Sequence, residues 1–287
     1  MMFHDALEEA NRRARARLAH ALPKTGPLAE PMAYAVEGGK GLRGFLVIEG
    51  ASLFDVSPDR SSYAAAAIEA VHASSLVHDD LPCMDDDDLR RGRPTVHVKW
   101  DEATGVLVGV ALQFLAFELV GDPAVGSGDI RAELARTLGH GAGGFGMVMG
   151  QSLDLAAEVA PNPLTLDEII ALQAGKTGAL FEWSAFAGAI LGEADREPLR
   201  QYGAALGQAF QIADDILDIE GDAETVGKAV QKDKDAGKAT FVSLLGMDGA
   251  RKRAHMLVDN ACDVLAPFGP KADNLREAAR FAISRKN

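Results

Sequence analysis

Cysteine is nearly missing from this 287-residue chain: Cys83 and Cys262 are the only two, and they form no CxxC pair. That excludes a disulfide scaffold and a cysteine-rich zinc site, and it fits a reducing cytoplasm. Basic residues are in deficit, with 29 Lys+Arg against 42 Asp+Glu and a net charge of −13. A duplex polyanion would be repelled, so no nucleic-acid partner is expected. No repeat, Gly/Ser linker or Pro-rich linker divides the chain, which reads as a single domain over residues 1–287. Alternating strand patterns are scarce. The longest apolar run, Gly105 to Gly121, is short for a membrane span and holds Gln113 and Glu118, so it reads as a buried core helix. The first twenty residues carry Asp5, Glu8, Glu9 and four arginines and do not read as a secretory signal.

What is present is helix. Ala64, Ile68, Val71, Ser75 and His78 follow steps of three and four and make one helical face over residues 63–79. Leu199 to Glu220 is a second long helix that Gly221 would stop. Thr165 and Glu168 form a capping-box pattern. Breakers at Pro23–Pro27, Pro82, Gly92–Pro94, Gly121–Gly128, Pro161–Pro163, Glu193–Pro198 and Pro267–Pro270 separate segments suited to helices. The expected fold is an all-α bundle.

Two acidic clusters carry the chemistry. Asp79, Asp80, Asp85, Asp86, Asp87 and Asp88 place six carboxylates in ten residues. Such density repels itself unless cations sit among the charges. A solvated acidic turn is the plain reading of a lone run of this kind. The second cluster changes the balance: Asp214, Asp215 and Asp218 lie inside an apolar helix among Ile212, Ile216, Leu217 and Ile219. Asp214 and Asp218 share a face, and Gln211 stands three residues before Asp214. Oxygen-only donor sets suit Mg²⁺, which takes one or two carboxylates and leaves positions for phosphate oxygens. No His or Cys stands in zinc register. Basic groups accompany both clusters: Arg90, Arg91 and Arg93 after the first, Lys228, Lys232, Lys234 and Lys238 after the second, and Lys40 and Arg43 in GGKGLR. They suit further phosphates, although Lys232 and Lys234 read as surface charges. His72 precedes Asp79 by two helical turns, on nearly the same face.

HDDLPCMDDDDLRRGRPTVH and FQIADDILD, with GGKGLR, GQSLDL, KTGAL and GKAT in order between Tyr34 and Gly246, resemble the trans-isoprenyl diphosphate synthases, in particular bacterial farnesyl and geranylgeranyl diphosphate synthases. The resemblance implies an all-α bundle around a deep central cavity, a homodimer without a membrane span, and three Mg²⁺ per site. It implies condensation of isopentenyl diphosphate with dimethylallyl, geranyl or farnesyl diphosphate by ionisation to an allylic cation, with the released diphosphate taking the proton. By this resemblance Asp79 and Asp85, with Asp80 beside them, and Asp214, with Asp215 and Asp218 in outer or water-mediated roles, make up the metal site. Arg90, helped by Lys176, Lys228 and Lys238, contacts the allylic diphosphate. Lys40, Arg43, His72 and Arg91 form the isopentenyl diphosphate site, and Thr177 and Gln211 face the cation. Ser74 and Ser75 stand where chain length is set: an aromatic five residues before the first Asp goes with C15, whereas a small Ser74 favours C20, unless Phe114 or Phe117 supplies a floor. Product length therefore stays open between the two. Gly41 and Gly44 depart from the usual GGKRLRP, and Val110 stands where Asp is usual. A terpene cyclase and a non-catalytic prenyl synthase subunit are the alternatives.

Overall fold

The computed structural model describes residues 2–220 and 240–284. Its helices are α1 (Phe3–Ala21), α2 (Ala29–Ala35), α3 (Leu42–Ser52), α4 (Pro58–Asp79), α5 (Val96–Lys99), α6 (Glu102–Gly121), α7 (Gly128–Ala142), α8 (Met147–Glu158), α9 (Leu166–Gln173), α10 (Ala179–Leu191), α11 (Glu197–Glu220), α12 (Phe241–Val264) and α13 (Asp273–Ser284). The fold is all-α. Among the described residues the strands are two-residue pieces, β1 (Leu89–Arg90) and β2 (Arg93–Pro94). The chain forms two compact units, Met1–Arg136 with Ala187–Ala194 and Thr137–Phe186 with Asp195–Asn287.

In the first unit α4 is the central rod, packed by α1, α3 and α6. Ser57 caps it by accepting the Arg60 N–H, and Pro58 follows at its first position, where a missing N–H costs nothing. Ala64 to Ala67 and Ala70 are fully buried, and these small side chains let three neighbours approach one helix. Ile68 and Val71 fill the core with Phe45, Leu46 and Leu112, each such burial being worth about 2 kcal/mol.

The reading of Gly105 to Gly121 as a buried core helix holds for one of its faces. Gly105, Val108, Gly109, Leu112, Leu115, Ala116 and Leu119 are buried, but Val106, Leu107, Val110, Phe114 and Phe117 form an exposed apolar row. Apolarity all round hid a helix with two different faces. Of the described helices, this one is long and apolar enough to cross a membrane.

In the second unit α11 packs along α12. Ile169, Ile212, Phe241, Val242, Ala250 and Ala254 form a core, and the buried Tyr202 hydroxyl donates to the Leu275 carbonyl at 2.7 Å, tying α11 to α13. The Thr165 capping box opens α9 as expected: Thr165 N–H donates to the Glu168 carboxylate at 2.8 Å, and Glu168 N–H donates back to Thr165 Oγ1.

Candidate active site

Helix α4 ends at Asp79 because Pro82 cannot continue it. The chain then folds back. Asp85 N–H donates to the Asp79 carbonyl at 2.8 Å and Asp87 N–H to the Asp80 carbonyl at 3.2 Å, with Asp86 in the left-handed region at φ 50°. Asp79 and Asp85, six apart in sequence, are thereby joined backbone to backbone at the helix end. Both are half-buried, and the loop offers carboxylate oxygens to a cation, a donor set that fits Mg²⁺. Asp80 differs: it is 3% exposed and its Oδ1 accepts from Arg90, whose Nη2 also reaches Asp87 at 3.3 Å. Burial raises the Asp80 pKa, and the Arg90 hydrogen bond and charge oppose this without cancelling it. Burial works against the Arg90 charge, but Asp80, Asp87 and Asp79 outweigh it. Asp80 and Arg90 thus hold each other.

The next turn divides the arginines. Arg91 and Gly92 both have positive φ, 55° and 71°, which makes the two-residue connection of a tight hairpin between β1 and β2. Arg91 Nη1 donates to the Glu37 carbonyl at 2.9 Å and lies across the glycine pair; a Cβ on Gly39 would sit 2.8 Å from Arg91 Nη2. Arg93 pairs with Glu37 at 2.7 Å and stacks on Tyr34. Burial lowers the Arg91 pKa; Glu69 opposes this, while Arg90 and Arg15 reinforce it. His72 is held well below its ordinary 6.5 by burial and by Arg43, Arg91 and Arg90. The structure therefore brings together His72, Arg43 and Arg91, with Lys40 in the adjoining Gly38–Gly41 loop. Positive groups crowded around a neutral imidazole provide the field a diphosphate would neutralise.

A pH dependence follows. The folded chain keeps His72 deprotonated where the unfolded chain, with pKa 6.5, takes up a proton. Folding stability is expected to fall as pH drops through 6.5, by at most about 1.4 kcal/mol per pH unit from this group. Urea unfolding at pH 7.5, 6.0 and 5.0 checks it: His72→Gln should show the shallower fall, and an unchanged slope would contradict the assignment.

Ser74 is 0% exposed and its Oγ has no hydrogen-bond partner. Ser75 Oγ donates to the His72 carbonyl at 2.9 Å. At the next turn His78 meets α6 so closely that a Cβ on Gly109 would overlap its ring. Phe114 and Phe117, 71% and 38% exposed, lie in the exposed row of α6. Val110 is on that outer row too, away from the α4 contact.

In the second unit, Lys176 and Thr177 ride on a π-helical turn, Ala174–Gly178, between α9 and α10. Such turns recur at functional sites because they re-aim side chains. Helix α8 presses on this turn backbone to backbone; a Cβ on Gly150 would overlap the Lys176 backbone. Lys176 Nζ donates to the buried Asp154. Thr177 Oγ1 donates to Gln211 Oε1 at 3.0 Å, and Gln211 Nε2 donates to Asp215 Oδ1 at 2.9 Å. Phe241 N–H donates to Asp215 Oδ2 at 2.8 Å. Asp215, expected in an outer or water-mediated role at the metals, is 4% exposed and has both oxygens engaged by protein donors; it anchors the start of α12. Steps of three and four from Leu199 through Tyr202, Leu206, Ala209 and Ile212 reach it, so its inward face was detectable. Asp214 and Asp218 are half-buried, one turn apart. Lys228 and Lys238 lie outside the described residues. Gly150 and Asp154 were missed as individual residues although GQSLDL contains them.

The family model described as polyprenyl synthetase matches residues 26–264. The chain is 44% identical to a farnesyl diphosphate synthase of Haemophilus influenzae over 91% of its length and 90% of the relative's. A crystal structure of an FPP/GFPP synthase from Zymomonas mobilis superposes with TM-score 0.89 at 42% identity, covering 99% of this chain and 100% of that one. A geranyltransferase of Helicobacter pylori, complexed with magnesium and isoprenyl diphosphate, matches at TM-score 0.84 and 31% identity over 99% of this chain and 97% of that one. With both aspartate motifs intact, the chain belongs to the polyprenyl synthetase family and is a short-chain trans-prenyl diphosphate synthase.

Proposed function

We propose that this enzyme condenses isopentenyl diphosphate with dimethylallyl, geranyl or farnesyl diphosphate in one catalytic domain, ending at C15 or C20. The observation that carries the reading is the fold-back after α4, which joins Asp79 to Asp85 while the hairpin sends Arg91 toward His72 and Arg43. Acidic and basic groups are thus sorted within one short segment. Asp79, Asp85, Asp214 and Asp218 are assigned to three Mg²⁺ that the two motifs share. Asp80 acts by orienting Arg90, and Asp215 by orienting Gln211. Magnesium, when bound, supplies charge stabilisation at the diphosphate leaving group. Arg90 and Lys176, with Lys228 and Lys238, hold the allylic diphosphate. Lys40, Arg43, His72 and Arg91 hold isopentenyl diphosphate in line for attack. The Thr177 hydrogen is directed at Gln211, so the hydroxyl lone pairs remain available to a developing cation.

The exposed row Val106, Leu107, Val110, Phe114 and Phe117 supports a homodimer, because an apolar face of this kind is covered at subunit interfaces. A cytoplasmic location and the absence of a membrane span belong to the same reading. Chain-length control is assigned to Ser74 and Ser75. Ser74→Tyr is expected to shorten the final product by one five-carbon unit relative to the parent, at about 1–3 kcal/mol of stability for placing a large ring at a buried position. Chromatography of the dephosphorylated products from each of the three primers tests both the reaction and this assignment. A tyrosine variant with parental product length would remove Ser74 from the pocket.

A further inference from the structure

Helix α1 places one row of side chains against the loop Gly38 to Gly44. Asn11, Ala14 and Arg15 stand at i, i+3 and i+4, so they share a face. Arg15 Nη2 donates to the carbonyl oxygens of Gly38 and Gly39 at 2.6 and 2.8 Å. Asn11 covers Gly41, the left-handed residue that opens α3 at φ 67°. A Cβ on Gly41 would lie 2.5 Å from Asn11 Oδ1 and 2.9 Å from its Cβ. Ala14 faces Gly44, where a Cβ would sit 3.3 Å away, and Gly44 N–H donates to Glu69 Oε1 at 2.8 Å. The α1 row thus contacts the glycine pair before Lys40, the glycine after it, and the first turn of α3 that carries Arg43. Asn11, Ala14 and Arg15 all precede residue 26, where the family match begins.

Gly38, Gly39 and Gly41 all have positive φ, and glycine pays the largest entropy when a loop is fixed. Held from α1, the loop is ordered before substrate arrives, so less binding energy is spent on ordering it. The two departures from the usual GGKRLRP also find a reason here. At position 41 a side chain would collide with Asn11, and at position 44 proline would lack the N–H that Glu69 accepts.

The geometry points to Arg15 and Asn11 as positioning residues for isopentenyl diphosphate, contributed by a helix outside the family match. This rests on the reading of Lys40 and Arg43 as contacts of that substrate. Steady-state kinetics with both substrates varied tests it. Arg15→Ala is expected to raise KM for isopentenyl diphosphate about tenfold, with smaller changes in kcat and in KM for geranyl diphosphate, and Arg15→Lys should recover part of the loss. A KM within twofold of the parent would overturn the inference. Lys40→Ala separates the two levels. If it leaves that KM unchanged, the reading of the loop fails. If it raises KM while Arg15→Ala does not, the α1 inference alone fails. An independent arm uses Gly41→Arg, which should raise the same KM, and Gly41→Arg with Asn11→Ala, which should recover only part of the loss, because the Oδ1 and Cγ contacts go while the Cβ contact at 2.9 Å and the positive φ at position 41 stay. Additive effects of the two substitutions would contradict the contact.

Discussion

Asp79→Ala and Asp214→Ala are each expected to lower turnover by about a thousandfold or more, about 4 kcal/mol of lost transition-state stabilisation, while leaving the thermal midpoint close to the parent's. The two halves of this expectation have separate grounds. The loss of rate follows from removing carboxylate oxygens that would hold Mg²⁺ against the leaving diphosphate. The intact fold follows from position: each residue is half-buried on a long helix, and alanine is a good helix former. Asp80→Ala should behave differently. It removes the main partner of the Arg90 guanidinium and leaves it the longer Asp87 contact, so stability and turnover fall together. Consumption of labelled isopentenyl diphosphate, set beside thermal melts of all three variants, distinguishes the cases. Near-parental product formation by Asp79→Ala or Asp214→Ala would overturn the metal assignment. The same consumption assay separates this reading from a terpene cyclase, which has no use for isopentenyl diphosphate.

Gly150→Ala is the second large effect. The added Cβ overlaps the backbone of Lys176 and Gly175, and backbone cannot rotate aside as a flexible side chain can. Helix α8 or the π-helical turn must shift, at a cost of about 1–3 kcal/mol or more. Lys176 and Thr177 travel with that turn, and a displacement near 1 Å costs about a hundredfold in rate. Gly121→Ala is the control, since a Cβ there meets nothing within 4 Å. Thermal melting and turnover should both drop for Gly150→Ala and hold for Gly121→Ala. Parental values for the first would show that the π turn tolerates movement.

Much of this architecture is legible in the amino-acid order, and what is not has physical causes. Helix α4 announces itself by small and branched apolar residues at steps of three and four, and α9 by its capping box, because those patterns are local. The acidic loop is legible as composition, but the separation of Asp80 from Asp79 and Asp85 is not: adjacent residues on a helix end diverge by 100°, and one turns inward to Arg90. Asp215 diverges from Asp214 by the same 100°, but there the steps of three and four from Leu199 to Ile212 do mark the inward face. Helix α6 misleads because its outward row is as apolar as its buried one. The need for Gly150 depends on a turn more than twenty residues later, which no local pattern encodes.

In the proposed reaction, Asp79 and Asp85 would share one set of metal ions with Asp214. Crystals grown with Mn²⁺ in place of Mg²⁺ and an unreactive allylic diphosphate analogue test it directly through anomalous scattering. The account predicts metal peaks at both motifs, bridged by one diphosphate. Peaks confined to one motif, or a diphosphate bound away from both, would contradict it.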